Sequence, residues 1–286
     1  MEERNERGET LEEFLARYDE TKYRRPSNTV DMILLTVLKG KLKVLLVKRK
    51  DHPFIHDWAM PGGFVNFDED LDTAMKRELE EETNLFDSTY FRQLYTFGNA
   101  DRDPRTRVIT TVYLSMTPAE NIKMTSAGDD AMDTGWFTIQ KITTTTDGHE
   151  RKSVLMLDEE EKGIHLRYEI YDTACDNYVQ TRSKLLDSSN AKLAADHIKA
   201  INMAIDVVRN RAASTGIMFN LLPKECTLRE IQEVYEAIVN HPVDTGNFRR
   251  DIKKMLVSTG NTTIVNGRKV ATYSFNPLLP FVKETL

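Results

Sequence analysis

Cysteine is scarce in this chain: only Cys175 and Cys226 occur among 286 residues. They lie far apart, no CxxC pair exists and the histidines are scattered, which argues against a disulfide framework and against zinc. Free thiols in a reducing cytoplasm are the expected state. Long apolar runs are missing too. No stretch of about 18 or more apolar residues is present, which excludes a membrane-spanning helix. The opening MEERNERGETLEEF has no apolar signal core, which argues against secretion. Nor is there an excess of positive charge. Lys and Arg number 39 against 45 Asp and Glu, a net charge of −6. Bulk charge therefore does not fit a protein that coats nucleic acid, although a small local basic patch stays compatible. No internal repeat or low-complexity tract is found. What remains is an ordinary globular composition, 40% hydrophobic and 29% charged, at a length for which two domains are the default.

Local patterns suggest an order of elements. The polar first 25 residues allow a short helix around Leu11, Phe14 and Tyr18. Residues 29–38 (TVDMILLTVL) and 42–47 (LKVLLV) read as a strand hairpin joined by Lys39-Gly40-Lys41. A helix is expected over 70–84, with Leu71, Ala74, Met75 and Leu79 along one side. Strands are expected at 91–97 and 108–116, and Trp136-Phe137 opens a further apolar stretch. The polar run TTTTDGHERKS from Thr143 reads as a loop. Residues 192–212 read as one helix with Leu193, His197, Ile201, Ile205 and Val208 on its apolar side. Thr227 with Glu230 forms a capping box for a helix to Val239. A second helix starts at Asp244 or Thr245. Strands at 262–265 and 270–275 flank Asn266-Gly267, the favoured two-residue hairpin turn.

The densest chemical signal runs from Gly63 through Glu69 to Arg77-Glu78-Leu79-Glu80-Glu81-Glu82-Thr83-Asn84-Leu85. Glu78, Glu81 and Glu82 stand at i, i+3 and i+4, so one helix face presents three carboxylates. Such crowding suits a hard divalent cation, which in turn bridges to a diphosphate. Gly62 and Gly63 allow a tight turn and a close approach to substrate. Arg77 is placed to pin the glutamates by an ion pair.

This pattern resembles the Nudix box at every fixed position but one: Asn84 stands where the family has glycine. The resemblance implies an α+β fold, a Nudix αβα sandwich with a mixed sheet. It also implies hydrolysis of a nucleoside diphosphate derivative with Mg2+ or Mn2+. Glu78 resembles the family's general base, assisted by Arg77, and Glu78, Glu81 and Glu82 resemble its metal ligands. Residues 99–107 (NADRDPRTR) and 127–137 (AGDDAMDTGWF) look like segments of Nudix proteins that handle ADP-ribose. Arg102 and Arg105 then either fork a phosphate or simply close a basic hairpin. Asp130, beside Asp129, either supplies a further ligand or is a surface turn carboxylate. Arg49, near the glycine loop, either meets phosphate or is an exposed arginine.

The sequences 219–236 (FNLLPKECTLREIQEVYE) and 247–254 (NFRRDIKK) resemble the winged-helix domain of Nudix-related transcriptional regulators of NAD metabolism. The implied division is a polar arm over 1–26, a Nudix domain over 27–190, a linking helix over 191–215 and a winged helix-turn-helix domain over 216–286. Arg249, Arg250, Lys253 and Lys254 would lie on a recognition helix, and Arg268 and Lys269 on a wing. They either contact operator DNA or solvate a surface. His197 reads as a packed, hydrogen-bonded histidine. Tyr168, Tyr171 and Tyr178 read as packing against the core or a dimer partner rather than stacking on adenine. Two functions are in view: hydrolysis of ADP-ribose to AMP and ribose 5-phosphate, or a cytoplasmic homodimeric regulator whose Nudix domain senses such a nucleotide.

Overall fold

The computed structural model of the chain describes residues 3–83, 90–122, 131–276 and 278. The arm carries a short helix, α1 (Leu11–Arg17), with a Thr10–Glu13 capping box. A mixed sheet follows, built from β1 (Ser27–Leu38), β2 (Lys41–Arg49), the short β3 (Trp58–Ala59) and β4 (Gly62–Phe64), β5 (Tyr90–Phe97), β6 (Val108–Met116), β7 (Ala131–Asp147), β8 (Glu150–Glu159), β9 (Ile164–Cys175) and β10 (Tyr178–Leu185). Its order is β10-β9-β8-β7-β2-β1-β6-β5, with β3 beside β2 and β4 beside β1. The β1–β6 pair is parallel and the remaining pairs are antiparallel.

The near-continuous apolar run of β1 reflects burial on both faces. Met32 and Leu34 point to one side, where they meet Ala74, Met75 and Leu79 of α2 (Leu71–Thr83). Ile33 and Leu35 point to the other, in the larger core shared with α3 (His197–Ala212). Helix α3 buries Ile198, Ile201, Ile205 and Val208 there, and each such side chain contributes roughly 1.5–3 kcal/mol of burial. The result is helix, sheet, helix.

Two expectations need correction. The threonine run is not a loop. Strand β7 pairs with β2 through residues 131–138 and with β8 from Thr138 to Asp147, and the chain reverses at Gly148 with φ of 50°. Threonine is β-branched and favours strands, and the polarity of the run reflects its exposure rather than irregular backbone. Residues 143–185 thus continue the central sheet. The linking helix also starts late, at His197. Before it, Trp58 N–H donates to Lys192 O at 3.0 Å and Ala194 N–H donates to Trp58 O at 2.8 Å, and Ala195 takes φ of 43°. These bonds hold residues 192–194 beside β3 as an extended bridge.

The last third is a winged helix. Helix α4 (Leu228–Val239) has the expected Thr227–Glu230 capping box and ends on Asn240 in the left-handed region. Helix α5 (Thr245–Ile252) is capped by Asp244. Strands β11 (Leu256–Val265) and β12 (Arg268–Phe275) form the wing, turning at Asn266 and Gly267 with φ of 48° and 77°. This unit sits on the sheet through α3 and α4. Lys141 of β7 pairs with Asp206 at 2.6 Å, and Arg209 donates to Ile238 O and Lys141 O.

Candidate functional site

Arg77 organises the glutamate helix. Its guanidinium donates to both carboxylate oxygens of Glu69 at 2.7 and 3.1 Å, to Glu78 at 2.7 Å, to Glu81 at 3.1 Å, and to the Phe64 carbonyl at 3.0 Å. The sequence expectation of a pinning arginine is met, and the pin also fastens α2 to β4. Hydrogen bonds from Arg77 and from the Asn66 N–H hold the Glu69 carboxyl down at about 2. Burial pushes Glu78 the other way, upward, against the pull of Arg77.

The two glycines have different tasks. A Cβ on Gly62 would lie 2.2 Å from the Val30 carbonyl oxygen, so this glycine lets β4 close on β1. A Cβ on Gly63 would lie 2.2 Å from Glu78 Oε1. Gly63 therefore makes room for the Glu78 carboxylate against the backbone.

Beside this helix opens a cleft of about 110 Å³ lined by Arg49, Gly62, Gly63, Arg102 and Arg105. The fold brings together residues that sequence reasoning had taken from three separate segments. The arginines arrive already engaged, however. Arg49 donates to Pro53 O at 2.8 Å. Arg105 pairs with Asp103 at 2.8 Å and lies over the Phe64 ring. Arg102, its side chain 7% exposed, pairs with Asp196 at 2.9 Å and lies 3.9 Å from Asp31. Asp31, Asp196 and His197 were missed as site residues. In sequence alone, His197 reads only as a packed histidine on the apolar side of a helix. His197 is buried, as expected, and its Nδ1 accepts the Met60 N–H at 2.9 Å. Burial lowers its pKa, so the ring is neutral.

Glu81 is exposed and Glu82 half-buried on the same helix. Among the described residues no group of three or more His, Cys, Asp or Glu side chains is drawn together as a ready metal cage. The donor set nevertheless fits a divalent cation chemically. Its oxygens are hard ligands, and Glu78 is a desolvated carboxylate beside which Arg77 now supplies the balancing charge. Asn84, Leu85, Asp129 and Asp130 lie outside the described residues.

Tyr168 packs in the core and its hydroxyl accepts the Leu193 N–H at 2.7 Å, whereas Tyr178 is exposed. In the winged helix, Arg249 and Arg250 are exposed in the last turn of α5. Lys253 follows Arg249 by one α-helical turn, its backbone N–H donating to the Arg249 carbonyl. The chain then tightens into a 3-10 turn at Lys253–Met255, and Lys253 and Lys254 are both exposed. Arg268 and Lys269 are exposed just past the wing turn.

The NUDIX domain family matches residues 26–157, and the NrtR DNA-binding winged helix domain matches residues 218–275. The chain is 27% identical over 266 residues to the ADPR responsive transcriptional repressor NtrR of Acinetobacter baylyi, covering 92% of this chain and 87% of that protein. It is 35% identical over 129 residues to an ADP-ribose pyrophosphatase of Methanocaldococcus jannaschii, covering 45% of this chain and 72% of that protein. Among solved structures, a MutT/nudix family protein of Enterococcus faecalis superposes with a TM-score of 0.69 at 29% identity over 95% of each chain. NrtR of Shewanella oneidensis, solved with a 27mer DNA, superposes with a TM-score of 0.58 at 26% identity over 87% of this chain and 93% of that one. The chain belongs to the Nudix hydrolase family, and it carries behind its Nudix domain the winged helix domain of the NrtR type.

Proposed function

We propose that the Nudix domain cleaves ADP-ribose to AMP and ribose 5-phosphate with Mg2+, or Mn2+ in its place. The observation that carries this reading is the buried Glu78 carboxylate. It is seated against Gly63 and tied to Arg77, on the helix that also bears Glu81 and Glu82, beside a cleft lined by Arg49, Arg102 and Arg105. Nudix hydrolases use a divalent metal. Glu78, Glu81 and Glu82 would hold it, and when bound it supplies positive charge that offsets the diphosphate and lowers the pKa of water. The protein's own share is to orient and to move a proton. Arg77 fixes the Glu78 carboxylate, and Glu78 accepts the proton of the attacking water as a general base. Water adds to one phosphorus as the bridging P–O bond breaks. Gly62 and Gly63 let the diphosphate approach the backbone, and Arg49, Arg102 and Arg105 meet its charge; Asp130 completes the substrate set. The expected result is AMP release that requires divalent metal and disappears in Glu82→Gln. A parent protein that leaves ADP-ribose intact would sink the enzyme reading.

A second reading is favoured by the winged helix and its exposed basic residues. Here the same site reports the nucleotide to operator DNA, through a homodimer in which Arg249, Arg250, Lys253 and Lys254 face the duplex and Arg268 and Lys269 meet its backbone. The repressor relative is responsive to ADPR. Cleavage and sensing are compatible, since hydrolysis would end the signal. The cytoplasm is the expected setting, and among the described residues no helix is long and apolar enough to cross a membrane.

A further inference from the structure

We propose that ligand recognition extends beyond the Nudix domain to the first residue of α3, where His197 presents a neutral Nε2–H donor to a phosphate or ribose oxygen of the nucleotide. This rests on the cleft being the nucleotide site.

The tautomer follows from geometry. The Met60 backbone N–H can only donate, and it donates to His197 Nδ1 at 2.9 Å. Nδ1 is therefore the acceptor nitrogen and Nε2 carries the hydrogen. His197 is 8% exposed and forms part of the cleft wall. Among the described residues its Nε2 has no hydrogen-bond partner, although Nδ1 is satisfied. Thr29 lines the same cleft, and its Oγ1 is buried and neither donates nor accepts a hydrogen bond. Buried polar groups are nearly always paired, and leaving one unpaired costs roughly 1–3 kcal/mol. The free Nε2–H and Thr29 Oγ1 line the same cleft as Arg102 and Arg105, which Asp196 and Asp103 already hold, and a polar ligand would give both a partner. An uncharged donor suits an oxygen acceptor without adding to the arginine charge, so it contributes direction and selectivity rather than attraction.

The two amide replacements separate this role from packing. Asparagine places its oxygen at the depth of Nδ1, so His197→Asn keeps the Met60 bond and removes the donor to the cleft. Glutamine reaches to the depth of Nε2, so His197→Gln keeps an N–H at the cleft and gives up the Met60 bond. Calorimetric titration with Mg2+ and the α,β-methylene analogue of ADP-ribose, which resists cleavage, reads the affinities. Thermal denaturation of the same samples reads the folding. The expected result is affinity lowered about tenfold in His197→Asn with a melting temperature near the parent's. In His197→Gln the affinity should stay near the parent's while the melting temperature falls. Parental affinity in His197→Asn, or losses that follow stability in both variants, overturns the proposal. If the parent itself fails to bind the analogue, the nucleotide assignment of the cleft falls first and this inference with it.

Discussion

Glu78 carries the functional reading, and its environment sets a testable conflict between stability and chemistry. Burial raises its pKa, and Arg77 offsets this only in part. A carboxyl whose folded pKa lies above its unfolded value favours the folded state at acid pH, and that contribution is lost as pH rises through the folded pKa. At neutral pH, without metal, the ionised Glu78 is thus a burden on the fold. Glu78→Gln should raise the melting temperature at pH 7, and the gap should close as pH falls below the ordinary glutamate value of 4.5. A variant less stable than the parent at pH 7 would contradict the desolvated-carboxylate account. Glu69 behaves oppositely: held at about 2 by Arg77, its contribution is present above the ordinary glutamate range and is lost only in strong acid.

At the scale of elements, the short strand β4 separates fold from function within two residues. Gly62→Ala would drive a Cβ into the backbone oxygen of Val30, which cannot swing aside, at a φ of 153°. Gly63→Ala would instead press on the carboxylate of Glu78, the movable end of a side chain. The expected outcome is that Gly62→Ala lowers the melting temperature clearly, whereas Gly63→Ala changes it little but cuts ADP-ribose turnover at least tenfold. Equal effects of the two on both measurements would refute this division. The start of α3 offers a second test. Asp196 is the N-cap residue, yet its side chain makes no cap bond and pairs with buried Arg102 instead. Breaking a buried pair from one side strands the other charge, at about 3–5 kcal/mol. Asp196→Asn should destabilise the free protein, and a diphosphate ligand, by meeting Arg102, should raise its melting temperature more than it raises the parent's. An unchanged ligand-induced shift would argue that Arg102 does not meet the ligand.

Across the whole molecule, the box was legible because its information is local: fixed spacing on one helix places Glu78, Glu81 and Glu82 on one face whatever the surroundings. The winged helix was legible for the same reason, through the Thr227 cap and the Asn-Gly turn. What escaped were features made by meeting of distant segments. Asp31 and His197 are separated by more than 160 residues of chain, and only the fold brings them to one cleft. The threonine run misled because composition reported its exposure while its partner, β8, lay beyond the turn. The surviving expectation for this domain is that Arg249→Ala and Arg250→Ala weaken duplex binding at fixed salt and flatten its salt dependence by about one unit of slope each. Unchanged slopes would remove α5 from the DNA interface.

Cleavage of ADP-ribose through Glu78 is open to a direct test. The direct measurement is turnover of ADP-ribose with Mg2+ by the parent and by Glu78→Gln, with AMP and ribose 5-phosphate quantified together and thermal denaturation run on the same samples. The parent should give equal yields of the two products. The variant should show a kcat lower by about 10²–10⁴-fold, with a melting temperature no lower than the parent's. Intact ADP-ribose in the presence of the parent, or equal turnover by both proteins, would contradict cleavage through Glu78.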